Sequence, residues 1–387
     1  MPIPADAAAA EAASSAFAGT WIGKWDGFLK TVLIVEKVAQ SGQAKVVYAV
    51  ADNPGFGLKR AWFRLDATIS GDQMIVHGSG SSLTLNVSPT GRLRAVFGDG
   101  LSFAILSRRS LADLRAGGED ISWSAGVQSF LATDLAEDGR PVKLETLVFK
   151  PEGTGPFPLA IVNHGSTGAG TDPTLFGETW SNDWFADVLN QRGWMVAFPQ
   201  RRGRGESDGT YGEGFSADRR KGYSCDTKTS LDGADRAAED LHAAVTALHK
   251  RPDVTDQPVL LAGQSRGGML SIAYAGRHPK HITGVINFVG GWMGELCENA
   301  AVINQTLARQ GAGLKTPTLW IYGADDLYYS IDHSQNNFLA FIEAGGTGSF
   351  EEVAVRGRNN GHWVMAKPPL WEGLVGDYLD RLAANRD

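Results

Sequence analysis

The period of the hydrophobic positions changes once along the chain. From about Phe17 to Ser110 apolar residues alternate with polar ones. Thr31 to Val38, Val46 to Val50, Ala61 to Ile69 and Met74 to His77 are β-rich, and three later runs alternate strictly: Leu83, Leu85 and Val87; Leu93, Ala95 and Phe97; Leu101, Phe103 and Ile105. Ser41-Gly42, Asn53-Pro54-Gly55, Ser70-Gly71-Asp72, Pro89-Thr90-Gly91 and Gly98-Asp99-Gly100 separate them as turns. Short, evenly spaced strands of this kind predict a small antiparallel all-β domain, a sandwich or barrel of about eight strands. Trp21 and Trp25 are expected to close its core. No polar cluster converges here, so the domain reads as a structural appendage rather than a ligand-binding barrel.

Residues 111–126, with Gly117-Gly118, read as a linker, and residues 1–16 as a flexible tail before the β domain of 17–110. From Val127 the period changes. Val127 to Leu135 and Val142 to Phe149 flank Glu137-Asp138-Gly139-Arg140, which signals a hairpin. Afterwards strands alternate with helices. Leu159–Val162, Met195–Phe198, Val259–Ala262, Val285–Val289, Thr318–Tyr322 and Phe350–Val355 read as strands, and Glu178–Gln191, Leu231–His249 and Leu370–Ala383 as helices. The expectation for 127–387 is a doubly wound, mostly parallel α/β sheet that opens with an antiparallel hairpin.

Composition narrows the functional classes. The chain has 387 residues, 43% hydrophobic and 20% charged, enough apolar material for a large core. Its net charge of -7 is spread without long like-charge runs, which argues against nucleic-acid or anionic-membrane partners. No apolar run is long enough to insert in a bilayer. The Ala-rich start lacks a basic region followed by an apolar core, so it is not an intact signal peptide. It reads either as the remainder of an exported precursor or as a frayed tail. No Cys or His spacing resembles a metal site.

The candidate chemistry centres on Val259 to Ala275, VLLAGQSRGGMLSIAYA. An apolar strand runs into Gly263-Gln264-Ser265-Arg266-Gly267 and then into a helical pattern. Strand, G-x-S-x-G turn and helix form a nucleophile elbow, in which the turn holds the Ser265 hydroxyl clear of the sheet. A serine nucleophile needs a base, and the base an orienting carboxylate. Asp325-Asp326 follows the Thr318–Tyr322 strand, and His362 follows the last strand after Asn359-Asn360. Of the eight histidines, His164, His333 and His362 lie near strand ends or loops. His164 precedes the serine in the chain, and His333 opens a helix. A second oxyanion donor is expected from the loop Asn163-His164-Gly165-Ser166: the Ser166 N–H, beside that of Arg266. Trp180, Trp184, Trp292, Met293, Tyr328, Tyr329 and Trp363 lie near the same loops as candidate pocket residues or as core. Arg201 and Arg202 read as structural salt-bridge partners, with an acidic substrate as the alternative.

The stretches VNHGSTG, PQRRGRGESDG, GQSRGG, YGADD and NNGHW together resemble the α/β-hydrolase superfamily, and most closely its dienelactone-hydrolase-like carboxylesterases. The resemblance covers Val127 to the end. It implies a triad of Ser265, Asp326 and His362, with Asp326 taken over Asp325 because the fold reads G-x-x-D there, an oxyanion hole at Ser166 and Arg266, and no cofactor. The dienelactone hydrolases proper carry cysteine where this chain has Ser265, which favours ordinary small-molecule esters over lactones. The alternatives are a serine peptidase resembling the prolyl-oligopeptidase type, whose β domain is a propeller too long for the region before Ser110, and a non-catalytic binding protein. Cys225 and Cys297 lie in loops expected to leave the same sheet edge. They read as a disulfide, or as two buried thiols. A bridge would place the protein in the periplasm or outside the cell, against a cytoplasmic alternative.

Overall fold

The computed structural model describes residues 2–11, 15–54, 57–116, 122–355 and 360–384. Gly55, Gly117-Gly118 and Asn359, used above as turn and linker signals, lie outside them. The chain divides into two compact units, one of Met1–Val127 with Asn182–Asp187 and one of the remainder.

In the first unit eight strands close into a barrel: β1 (Gly19–Trp25), β2 (Leu29–Val38), β3 (Gln43–Val50), β4 (Ala61–Ser70), β5 (Gln73–His77), β6 (Ser82–Val87), β7 (Leu93–Phe97) and β8 (Phe103–Arg109). Each strand pairs antiparallel with the next, and β1 also pairs with β8, so no edge is left open. The alternation sends Trp21, Leu33, Val35, Val46, Met74, Leu85, Leu93 and Leu106 inward. Trp21 and Trp25 do sit in this core. Their indole N–H groups donate to Phe17 O at 2.8 Å and to the Tyr48 hydroxyl at 2.9 Å, which removes the cost of burying a polar group. On β2 the run from Val32 to Val35 is buried on both faces. The outward side chains, Val32 and Ile34 with Ile22, Val47 and Ala49, are covered by Ile3, Ala7, Leu111, Leu114 and Trp123. Part of the segment read as a tail therefore packs here, and the Ala10 N–H donates to Val35 O at 2.7 Å.

The second unit is built on one eight-stranded sheet. Its strands are β9 (Val127–Glu137), β10 (Arg140–Phe149), β11 (Leu159–Asn163), β12 (Met195–Pro199), β13 (Val259–Gln264), β14 (Ile282–Phe288), β15 (Thr318–Gly323) and β16 (Gly348–Val353), in the order β16-β15-β14-β13-β11-β12-β10-β9. The β9–β10 hairpin turns at Asp138 and Gly139, both at positive φ (50° and 74°), as a two-residue loop requires. β10 runs antiparallel to β12, and every pairing from β12 through β11 and β13 to β16 is parallel. β11 and β12 are buried at every residue, the pattern of strands covered on both faces.

The helices are α1 (Leu111–Ala116) in the first unit, then α2 (Asp183–Asn190), α3 (Thr227–His249), α4 (Arg266–Arg277), α5 (Ala300–Gly311), α6 (Ile331–Glu343) and α7 (Glu372–Ala384). α2 is shorter than the predicted Glu178–Gln191. Its first turns are not helical because side chains distant in sequence take their polar groups. Glu145 accepts from the Thr179 hydroxyl at 2.8 Å, and Gln200 accepts from the Trp180 N–H and donates to its carbonyl, each at 2.9 Å. Among the described residues no helix is long and apolar enough to cross a membrane.

Parallel strands release their following loops on one edge. The loops after β11, β12, β13, β14 and β15 therefore leave together, carrying His164, Arg201, Ser265, Gly291 and Asp326.

Candidate active site

Ser265 stands between β13 and α4 with φ 55° and ψ −124°, a region that side-chain-bearing residues rarely occupy. The elbow is possible only because its glycines lack a side chain. A Cβ on Gly267 would lie 2.1 Å from Asn163 O, and one on Gly263 would lie 2.3 Å from the Gly267 carbonyl. A serine ahead of a helix usually caps it. Here the backbone turns the hydroxyl away, so Ser265 makes no capping bond to α4 and remains 5% exposed.

Asp326 follows β15 and its side chain is buried. One carboxylate oxygen accepts from the Tyr328 N–H at 2.7 Å and the Tyr329 N–H at 3.3 Å, and the other meets His362 Nδ1 at 2.8 Å. Three fixed donors hold this carboxylate, which orients the imidazole. Asp325, at φ 57°, points out into solvent. The structure thus brings Asp326, and not its neighbour, to His362. His362 is 8% exposed. Its N–H donates to the Asn360 side chain at 3.0 Å, and its carbonyl accepts from Gln264 Nε2 at 3.0 Å. Gln264 adjoins Ser265, so this bond ties the histidine loop to the elbow. Sequence reading missed Gln264, although it occupies the first x of G-x-S-x-G.

The loop after β11 lies against the serine. A Cβ on Gly165 would sit 3.2 Å from Ser265 Cβ and 3.8 Å from its Oγ. Neither the Ser166 nor the Arg266 N–H donates to a backbone acceptor among the described residues. Arg266 is the first residue of α4, where amides have no partner within the helix and the helix dipole favours negative charge. Its side chain is buried. The guanidinium lies 3.6 Å from the Tyr223 ring centroid and 4.6 Å from that of Trp292, and Nη1 donates to Glu213 O at 2.8 Å.

Behind this loop lies a buried ionic cluster. Arg201 pairs with Glu213, and both its Nη atoms donate to His164 O at 3.0 Å. The Arg202 N–H donates to Asp240 at 3.0 Å, and its guanidinium reaches Glu239 at 3.0 Å. Both arginines are structural, as the sequence predicted. Burial pushes the Glu213 carboxyl up, but Arg201, Arg266 and Arg204 outweigh it and hold the group below its usual range. His164 is held well below the usual imidazole value, first by burial and then by Arg201 and Arg204. Its Nε2 accepts from the Arg201 N–H at 3.1 Å, which assigns the ring proton to Nδ1, facing Gly165 O at 2.8 Å. Glu213 gave no signal in sequence, being one acidic residue in a long loop.

The aromatic candidates divide. Tyr328 and Trp363, 44% and 53% exposed, place their rings 4.6 and 6.4 Å from that of His362. Tyr329 is buried, with its ring 5.7 Å from His362. Trp292 is buried behind Arg266, its indole N–H on Ser230 O at 3.0 Å. Trp180 packs on Phe198, and Trp184 meets Phe103 and Arg94 within the first unit. Cys225 and Cys297 are joined as a disulfide, with Cα atoms 5.6 Å apart. The Asn299 side chain donates to Cys225 O at 3.0 Å.

A family model described as serine aminopeptidase, S33, matches residues 178–294, from the approach to α2 through the elbow to the loop after β14. With that match on this sheet order, the fold is decided. The second unit has the α/β-hydrolase fold. No curated protein matches the chain. Among solved structures, the chain is similar to an esterase of Pyrococcus furiosus, Pf2001, at 14% identity over 71% of this chain and 94% of that one, with a TM-score of 0.45. Est1E from Butyrivibrio proteoclasticus is similar at 16% over 67% and 100%, with a TM-score of 0.46. Dipeptidyl peptidase 4 of Porphyromonas gingivalis is similar at 16% over 94% of this chain and 50% of that one, with a TM-score of 0.47. Likenesses at this level leave the chemistry to be argued from the site.

Proposed function

We propose that the protein hydrolyses small carboxylic esters through an acyl-enzyme on Ser265. The observation that carries the reading is the Asp326–His362 hydrogen bond, on a loop tied by Gln264 to the elbow. With Nδ1 on the carboxylate, Nε2 is the nitrogen left to take a proton. His362 accepts the Ser265 proton as Oγ attacks the ester carbon, and the carbonyl electron pair moves onto oxygen. The Arg266 and Ser166 amides receive that charge, each worth roughly 3–4 kcal/mol in the transition state. Collapse expels the alcohol, which takes the proton from His362. Water then repeats the sequence and frees the acid.

Tyr328 and Trp363 beside His362 suit an apolar acyl or alcohol group. A second reading, peptide hydrolysis, is favoured by the S33 aminopeptidase match over residues 178–294. The bonded cysteines support an oxidising compartment, periplasmic or extracellular, because cytosolic thiols are kept reduced. The test compares p-nitrophenyl acyl esters with aminoacyl anilides on the same preparation and locates a phosphonate label by mass spectrometry. Turnover of esters with the label on Ser265 is expected. Turnover of anilides alone selects the peptidase, and a label elsewhere refutes the nucleophile.

A further inference from the structure

Tyr223 meets both elements that supply the proposed oxyanion donors. On one side is the loop after β11. The buried Thr167 donates its N–H to the Tyr223 hydroxyl at 3.3 Å, and the Thr167 hydroxyl lies 3.2 Å from the same oxygen. The Tyr223 N–H donates to Ala169 O at 3.2 Å. Thr167 follows Ser166, so the amide held by the phenol is one peptide beyond the proposed donor. On the other side is the start of α4. There the Arg266 guanidinium lies 3.6 Å from the Tyr223 ring centroid, on the residue whose own N–H is the second donor.

We infer that Tyr223 is a positioning residue for the oxyanion hole: its hydroxyl holds the β11 loop, its ring holds the Arg266 side chain, and together they set the spacing of the Ser166 and Arg266 amides. The inference rests on the serine-hydrolase reading above. Proton counting gives the direction of each bond. Glu213, ionised because its arginines outweigh its burial, takes the one proton of the Tyr211 hydroxyl at 2.9 Å. Burial, then the charge on Glu213, pushes the Tyr211 phenol well above its ordinary range, so it keeps that proton. The Tyr211 oxygen is left as an acceptor, and the Tyr223 hydroxyl donates to it at 2.9 Å. A Tyr223 proton turned toward Thr167 would leave the two phenol oxygens in contact with no hydrogen between them. Only lone pairs then remain on the Tyr223 oxygen, and Thr167 fills them with its N–H and its hydroxyl proton. The chain runs one way, from the β11 loop through two phenols to a buried carboxylate.

The ring is fixed from several directions. Phe215 packs on it with centroids 4.7 Å apart. A Cβ on Gly170, at φ 76°, would lie 3.0 Å from it, so glycine there lets the β11 loop close onto the ring. Two residues on, Cys225 is bonded to Cys297, which ties down the same segment. On its far side Arg266 is held by Trp292 at 4.6 Å and by Glu213 O at 2.8 Å. An oxyanion hole is effective only when both amides lie about 2.7–3.1 Å from one developing charge. These two amides come from different elements, and Tyr223 is the side chain that touches both.

The test is Tyr223→Phe, which keeps the ring over Arg266 and removes the oxygen that holds Thr167. With p-nitrophenyl acetate, kcat is expected to fall about 10-fold, part of the ~10²–10³ lost when an oxyanion donor is removed outright. KM should stay within about twofold, because the ground-state ester does not use the hole. An aryl trifluoromethyl ketone, which adds to Ser265 and places an oxyanion in the same hole, should inhibit more weakly by the same factor. The corresponding methyl ketone, which stays trigonal, should inhibit as before. Replacing Tyr223 with 3-fluorotyrosine, a weaker acceptor of nearly the same size, should give a smaller loss in the same direction and covers the case in which the Phe variant does not fold. Full kcat in a folded Phe variant, or in the fluorotyrosine protein where the Phe variant does not fold, overturns the inference. So does a loss carried by KM or shared equally by both ketones, since that marks a packing role. Ser265→Ala is measured alongside. If it stays active, the serine-hydrolase reading fails; if it is dead while Tyr223→Phe is fully active, only the Tyr223 inference fails.

Discussion

Two buried histidines stand at the same edge of the eight-stranded sheet of the second unit, each next to a glycine, and their surroundings separate them. His164 follows β11 among guanidinium groups. Arg201 grips its carbonyl and ring, Arg204 adds a second positive charge, and the Glu213 carboxylate is paired with Arg201. A proton there would meet like charge, so this imidazole is a neutral hydrogen-bonding strut. His362 follows β16 and faces a buried carboxylate at 2.8 Å, an arrangement that steadies the imidazolium that forms when it takes a proton. The same side chain is made structural in one place and fit for base catalysis in the other by the sign of the charge beside it.

The largest effects should fall on the His362 side. Ser265→Ala is expected to lower kcat for esters by about 10⁴–10⁶-fold with folding intact, and activity within tenfold of wild type would remove the assignment. Asp326→Asn should cost about 10⁴-fold, because the amide no longer holds the imidazole in the required tautomer. Asp325→Asn, an exposed change, should stay within about twofold. Steady-state kinetics on the pair decide it, and a reversed order moves the acid to Asp325. His164→Gln should leave kcat within about tenfold of wild type, since Gln can still accept from the Arg201 N–H. A loss of the size seen for His362→Gln would break the contrast between the two histidines.

What could be read from sequence was the part fixed by local sterics. The spacing of Gly263, Ser265 and Gly267 announces an elbow because no side chain fits between Gly267 and Asn163 O. The barrel strands β5, β6 and β7 announced themselves because one face of each is buried, whereas β2 is covered on both. The choice between Asp325 and Asp326 is not local: it depends on a positive φ at Asp325 and on two amides from the following turn. The start of α2 was misread because Gln200, remote in sequence, captures the Trp180 N–H and carbonyl. Trp184 lay near site residues in sequence, yet its partners are Phe103 and Arg94. Tertiary neighbours override propensity most where long-range polar contacts decide the backbone.

The disulfide belongs to the His164 side. Tyr223, two residues before Cys225, lies over Arg266, and its hydroxyl takes the Thr167 N–H at 3.3 Å. The bridge closes a separation of 72 residues. Chain-entropy reasoning assigns such a loop roughly 4 kcal/mol. The double variant Cys225→Ser, Cys297→Ser should lose about that much in urea unfolding, and a reductant should lower the wild type to the same curve. Two free thiols titrated in denatured, unreduced protein would remove the bridge, and with it the argument for an oxidising compartment.

The smallest effect tests the charge argument directly. His164 is held well below its usual value in the fold, while in the unfolded chain it titrates near ~6.5. Below that pH the unfolded chain takes up a proton that the folded protein refuses. The stability tied to a neutral His164 is therefore complete above pH ~6.5 and is lost as pH falls, by up to about 1.4 kcal/mol per unit. Groups distant from His164 that lose stability in acid cancel when wild type is compared with His164→Gln, whereas Glu213 shares Arg201 with His164 and its loss adds to the same acid trend. Urea unfolding of both at pH 7, 6 and 5 should show the wild type's advantage over the variant shrinking with each step. Parallel curves would mean that His164 takes its proton inside the fold, and the guanidinium cluster would then not be what distinguishes it from His362.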